Sequence, residues 1–410
     1  MKSLDEAPFL DFLDPEFIAD PAPVIDRLRA QSCLARTPIG VIVVEHAKVL
    51  ALLADPRLRS SLLDFVRLQG LVDGPIYEAV SNSLLAVDGQ DHTRLRKLVS
   101  RAFTPRSVER LRPSMRALAE ELAGRFVPAG RCEFMGDFAD HYPIQLICEL
   151  LGVPREDHAR FGQWSNAITW VLSLELVAHL QEVSEGFEGL GSYIEAFIEE
   201  RRARPQDDLV TALIHAEDGG DRLSGPELRS LIASLLFAGY DTTRNQLGIG
   251  LFLFAQFPEQ WRLLGRRPEL APNAVEEILR FMGTVTVAPR FAHERLEIGD
   301  YDVPAGTILS LSTAAANHDP AIHTRPELFD ITVEREPPLT FGGGPHYCLG
   351  ANLARAEMQE ALRVLASRMP DVTLAGEVAW RPRTGIFGPT LLPLAFEAAP
   401  RLRLAAEPDA

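Results

Sequence analysis

The stretch Phe341-Gly342-Gly343-Gly344-Pro345-His346-Tyr347-Cys348-Leu349-Gly350 sets one thiol behind a glycine-rich loop, directly before an apolar run of helical period over 349–367. Unpaired N–H groups at a helix start can point at the sulfur. The helix dipole also favours negative charge there, so the sequence predicts a stabilised thiolate. Glycines let the backbone approach a flat group without side-chain collision. Taken singly, such a pattern is more often a glycine-rich turn around a buried structural cysteine.

Outward from this loop the chain reads as mostly helical. Apolar spacing predicts helices over 106–125, 144–151, 183–202, 225–257 and 273–281, against few strand-like runs: 34–44, 296–303 with 307–311, and 391–396. The run 225–257 is apolar nearly all round, which predicts a helix crossing the interior. At its middle stands Ala238-Gly239-Tyr240-Asp241-Thr242-Thr243, where an acid and hydroxyls are costly without partners. A structural role would explain this insert in isolation: Thr242 can return its hydroxyl to the carbonyl of Ala238, and Gly239 leaves a gap. Glu277 and Arg280, three residues apart, read by themselves as an exposed ion pair of small energy.

Together these segments resemble the cytochrome P-450 family. The cysteine loop has that family's form Phe-Gly-x-Gly-x-His-x-Cys-Leu-Gly with every fixed position present. Residues 238–242 are similar to its Ala-Gly-x-Asp/Glu-Thr motif, and Glu277-x-x-Arg280 to its Glu-x-x-Arg element. The resemblance runs from about His92 to the strands near Phe396. It implies a mainly α-helical, triangular haem protein with small β-sheets, forming one catalytic domain over 1–410. Cys348 is then the thiolate ligand of the iron of haem b, with donation that favours O–O cleavage. By the same resemblance Thr242 hydrogen-bonds dioxygen, Asp241 relays protons, and Glu277 with Arg280 braces the fold behind the haem. His92, Arg96, Arg290 and His346 are the implied partners of the haem propionates. The implied substrate pocket comprises Ser234, Phe237, Ala238, Val285, Val287, Ile386 and Phe387. These are nearly all apolar, which points to a largely apolar organic substrate.

Two departures from the family pattern stand out. Pro326-Glu327-Leu328-Phe329 lacks the arginine that many relatives carry in a Pro-x-Arg-Phe segment, leaving Arg325 and Arg335 as candidates for the third member of the ion network. Gly89-Gln90 stands where relatives often have two residues beginning Pro-Pro or Pro-Glu. The resemblance implies insertion of one atom of dioxygen into the substrate. The electrons would come from NAD(P)H through a separate ferredoxin reductase and ferredoxin, since no flavin or iron–sulfur motif is fused. A peroxygenase or oxidative coupling enzyme on the same fold is the nearest alternative, and a haem sensor or carrier without turnover is the alternative of another class. Intact Asp241 and Thr242 weigh against a dedicated peroxygenase, and the open polar insert without an appended signalling domain weighs against a sensor or carrier.

The bulk composition agrees. A chain of 410 residues, 46% hydrophobic, is long enough to enclose a buried cofactor. Its net charge of -16 argues against nucleic acid or an anionic membrane as the main partner. The acidic N-terminus lacks the cationic start of a secretory signal, and the most apolar helix is interrupted at 241–245, so no membrane span is predicted. Cys33, Cys132, Cys148 and Cys348 show no paired spacing, which fits a reducing cytoplasm, with Cys148 expected in the core. A local basic patch of Lys97, Arg101 and Arg355 is expected to face the ferredoxin.

Overall fold

The computed structural model describes residues 1–100, 103–218, 221–383 and 385–397; Arg101 of the expected basic patch lies outside them. The main helices are α1 Gly89–Ser100, α2 Arg112–Phe126, α3 Tyr142–Leu151, α4 His158–Ile168, α5 Leu180–Ala203, α6 Gly225–Gln256, α7 Ala271–Phe281 and α8 Ala351–Arg368. The fold is mainly helical with small sheets, as expected.

Helix α6 is the long interior helix. Ser224 caps its N-terminus by accepting from the Glu227 N–H while the Glu227 carboxylate accepts from the Ser224 N–H, and Pro226 occupies the first turn. From Thr243 to Leu251 every residue is buried. Helices α3, α4, α5, α7 and α8 all pack against α6, so an apolar surface on nearly all sides is what this position demands. Helix α8, which begins just after Cys348, is clasped by α2 and α7.

A five-stranded sheet lies to one side, built from β1 Leu34–Thr37, β2 Gly40–Val43, β3 Leu58–Ser60, β4 Ala288–Ala292 and β5 Ile308–Leu311, in the order β1-β2-β5-β4-β3. Only the β2–β5 pairing is parallel. Gly40, at φ +148°, lies so close to the Ile308 carbonyl that a side chain there would collide with it.

Two predicted elements break differently in the structure, and one strand forms unpredicted. The helix expected over 106–125 breaks into Pro105–Glu109 and α2, because Pro113 is tolerated only in a first turn and forces the helix to restart. The single strand expected over 391–396 is two. Pro389–Leu391 pairs with Ala379–Trp380, whereas Pro393–Ala395 joins Thr373–Leu374 and Arg131–Glu133; a proline opens each piece and the chain changes sheets between them. Strand β4 was not expected, since Pro289 and Arg290 mask its alternation. Among the described residues, no helix is long and apolar enough to cross a membrane.

Candidate active site

The cysteine loop opens with a short 3-10 turn, Leu339–Phe341. Gly342 and Gly344 then adopt φ of +71° and +63°, and a side chain at Gly344 would run into the Leu53 carbonyl. The loop closes on itself through the Cys348 N–H, which donates to the Phe341 carbonyl at 2.9 Å. The expected thiolate stabilisation is outweighed here. Burial pushes the Cys348 thiol up, and the Gly350 N–H with the Arg96 and Arg355 charges only partly offsets this. A bound metal cation is what would hold such a sulfur ionised. Cys33, Cys132 and Cys148 are buried, unpaired thiols, and burial pushes Cys132 to about 12.

Beside the loop the four expected propionate partners converge. The His92 and His346 rings lie 4.2 Å apart, and Arg96 reaches the Tyr347 carbonyl. Arg290, on β4, is buried, and its Nη1 donates only to the Pro289 carbonyl at 3.0 Å. Burial holds both guanidiniums below their usual range, and among the described residues neither has an ion-pair partner. Asp88, whose charge reaches Arg290, only partly balances the two guanidiniums, so this cluster fits a ligand carrying carboxylates. His346 is bound to Asp88 through Nε2 at 2.7 Å. His92 is pushed down to about 4 by burial and then by the neighbouring His346 and Arg96 charges, so at neutral pH it offers a hydrogen bond rather than a charge. The departure at Gly89 has a local cause: φ there is +64°, which lets the chain turn into α1 and present His92 and Arg96.

On α6, Ser234, Ala238 and Thr242 follow one another at four-residue intervals and keep open surface on a helix otherwise largely buried. Thr242 Oγ1 donates to the Ala238 carbonyl at 2.8 Å. Asp241 points elsewhere. It is wholly buried, and Arg381 Nη1 donates to its two carboxylate oxygens at 2.9 and 2.7 Å. Arg381, Asn245 and Thr169 were not among the residues expected at this acid.

Glu277 and Arg280 form a buried rather than an exposed pair, through Arg280 Nε at 2.7 Å and Nη2 at 2.9 Å. Of the two candidates for a third member, Arg335 stands 3.0 Å from Glu277, while Arg325 is absent from the network and adopts φ +49°. The Pro326 and Leu328 carbonyls accept from Arg280 at 2.8 and 2.9 Å. Arg355 is less available than expected for a basic docking patch, because Glu276 holds its guanidinium at 2.6 and 3.0 Å.

A cavity of about 350 Å³ opens between α4, α5 and α6. Ser234 and Phe237 line it as expected, together with Ile76, Ile168, Leu172 and Ile194. Ala238, Val285, Val287, Ile386 and Phe387 are not among its lining residues. Val285 pairs by backbone with Ile386, and Phe387 is buried and stacked on Trp380 at 5.1 Å. The cavity walls at 75–85 and 168–195 lie in segments whose apolar residues look like ordinary core in sequence.

Residues 77–264 and 267–367 match the family model for cytochrome P450. The chain is 40% identical to the luteothin monooxygenase of Streptomyces thioluteus over 397 residues, 96% of this chain and 97% of that one. It is 38% identical to the 6-deoxyerythronolide B hydroxylase of Saccharopolyspora erythraea, over 76% of this chain and 77% of that one. Among solved structures it is similar to PksS, the cytochrome P450 of the Bacillus subtilis bacillaene polyketide synthase, with TM-score 0.85, 32% identity, and coverage of 93% and 98% of the two chains. The cysteine loop, the cationic cluster beside it and the kinship over nearly the whole length agree: the chain belongs to the cytochrome P450 family.

Proposed function

We propose that this cytochrome P450 monooxygenase oxidises a largely apolar, polyketide-type substrate, with haem b held by Cys348. When bound, the haem supplies the oxygen-binding iron and the thiolate donation that favours O–O cleavage. The observation that carries the reading is the convergence of Cys348 with the buried Arg290 and the half-buried Arg96, neither of which has an ion-pair partner among the described residues. Arg96, Arg290, His92 and His346 are assigned to hold the two carboxylates of the haem. Thr242 Oγ1, which in the resting arrangement donates to the Ala238 carbonyl, is assigned to hold a proton at the oxygen site, and Asp241 to resupply it.

The substrate class rests on the apolar lining of the cavity and on relatives named for luteothin, mycinamicin IV and 6-deoxyerythronolide B. Beside its apolar walls the cavity is also lined by Glu78, Glu188, Glu195 and Arg229 and by the hydroxyl-bearing Ser230 and Ser234, which can orient a largely apolar ligand. We assign electron supply to a separate ferredoxin and an NAD(P)H-dependent reductase in the cytoplasm, and treat residues 1–410 as one catalytic domain. The test is a screen of substrate-induced spectral shifts with macrolactones, linear polyketides, fatty acids and small aromatics, followed by turnover. The expected result is a shift with a macrolactone or polyketide and a product carrying one atom from dioxygen, formed only with reductant and oxygen. Product formation with peroxide alone, at the same rate, would overturn it.

A further inference from the structure

Asp241 sits under a clamp that comes largely from outside its own helix. Besides the two bonds from Arg381, Asn245 Nδ2 donates to Oδ1 at 3.0 Å, while the Thr169 hydroxyl, which also reaches the Ser165 carbonyl at 2.9 Å, lies 3.3 Å from Oδ2. A carboxylate occupied in this way must give up a bond before it can exchange a proton with a new partner. Arg381 supplies the contact that matters most, since a guanidinium stays charged and a charged hydrogen bond is about twice as strong as a neutral one. The other groups facing Asp241 are Arg244, which is paired with Asp140, and the buried Tyr240.

Arg381 belongs to a hairpin made by β6 Ala379–Trp380 and β7 Pro389–Leu391. Its N–H donates to the Gly388 carbonyl at 2.9 Å, and Gly388 lies so close to Asn245 that a side chain there would collide with it. The hairpin therefore supplies one of the two firm donors to Asp241, Arg381, and touches the other, Asn245. Its connecting segment reaches the cavity wall: Gly385 abuts the Leu172 carbonyl, with room for a Cβ only at 3.0 Å. Leu172 lines the cavity and closes the short 3-10 turn that begins at Thr169, whose hydroxyl lies against the Asp241 carboxylate. One mechanical unit thus joins the substrate wall to the relay acid.

We propose that Arg381 is a positioning residue that keeps Asp241 closed, and that the 379–391 hairpin carries substrate contact at the wall to this ion pair and opens it. The inference rests on the monooxygenase reading and adds a control to it. Proton supply is suppressed when the cavity is empty and released when the wall is pressed.

The test uses the full-length haem-loaded protein with a surrogate ferredoxin and reductase at saturation, without substrate, every rate being taken per thiolate-ligated haem. Peroxide is measured beside NAD(P)H, since two electrons and two protons per dioxygen account for its release. Arg381→Gln is expected to raise substrate-free peroxide release roughly fivefold or more, and Arg381→Lys to restore the low rate. In the Asp241→Asn background Arg381→Gln is expected to have no effect, a pattern that a merely structural arginine would not give. In parallel, amide hydrogen exchange over 379–383 and 385–391 should accelerate in both Arg381→Gln and Asp241→Asn. An unchanged peroxide rate in Arg381→Gln, an equal rise in both backgrounds, or a hairpin whose exchange moves in neither variant would overturn the proposal. A wild-type protein lacking the thiolate spectrum would instead overturn the haem reading, and the exchange result would still decide whether the hairpin and Asp241 are coupled.

Discussion

Replacing Glu277 by alanine removes the only carboxylate that the described structure places between two buried guanidiniums. The side chains of Arg280, Glu277 and Arg335 are 1%, 2% and 8% exposed, so solvent cannot take over from the lost charge. Glu277 also accepts from the Asp330 N–H at 3.0 Å, which ties the loop over 324–331 to α7. In the variant, Arg280 keeps only the carbonyls of Asn317, Pro326 and Leu328, which are dipoles facing a full charge. Breaking a buried pair from one side costs about 3–5 kcal/mol, and two stranded cations place this case at the upper end. With an unfolding entropy near 2.1 cal/mol/K per residue, a chain of this length should lose about 4–6 °C in Tm. Glu277→Gln keeps an acceptor for Asp330 and should lose less. The assay is thermal and denaturant unfolding of both variants, with haem content measured on the same samples. An alanine variant that melts within a degree of the parent and retains full haem would refute the reasoning.

Four further outcomes are expected. Glu357 on α8 is buried, and burial pushes its carboxyl well above the ordinary 4.5, only partly offset by the Thr243 hydroxyl. Above that pH the unfolded chain releases a proton that the folded chain keeps, so this group lowers stability as pH rises, by up to about 1.4 kcal/mol per unit. Glu357→Gln should flatten that slope in unfolding measured from pH 5 to 8, and an unchanged slope would count against it. Thr242→Ala should fold and bind haem normally yet divert reductant into peroxide, which product and peroxide counts on one sample would reveal. Gly344→Ala should lose haem, because its positive φ and the Leu53 carbonyl both oppose a side chain; absorbance per protein checks this. Reduction by ferredoxin should slow as salt is raised, with Lys97→Glu slowing it further, whereas salt-independent rates would exclude a docking role for that face.

Much of this was legible because its signals are local. The cysteine loop, the 238–243 insert and Glu277-x-x-Arg280 each lie on one continuous segment, and the long period of α6 cannot be read as a strand. Pro113 and the paired prolines at 389 and 393 were equally visible, but the expectations for those segments followed hydrophobic spacing and missed the breaks. The remainder depends on contacts far apart in the chain. Arg381 lies 140 positions from Asp241, in a stretch with no motif of its own. Arg335 and Arg325 were equivalent in sequence, and only the backbone path over 324–335 brings the first beside Glu277. The cavity walls over 75–85 and 168–195 were not read from sequence, whereas Ile386 and Phe387 pack on Val285 and Trp380.

The central claim is that Cys348 ligates haem iron as a thiolate, and the spectrum of the reduced, carbon-monoxide-bound protein reads that ligation directly. The wild-type protein is expected to show the strongly red-shifted Soret band of thiolate coordination, and Cys348→Ala to lose it even where haem remains bound. A red-shifted band that survives in Cys348→Ala would contradict the account.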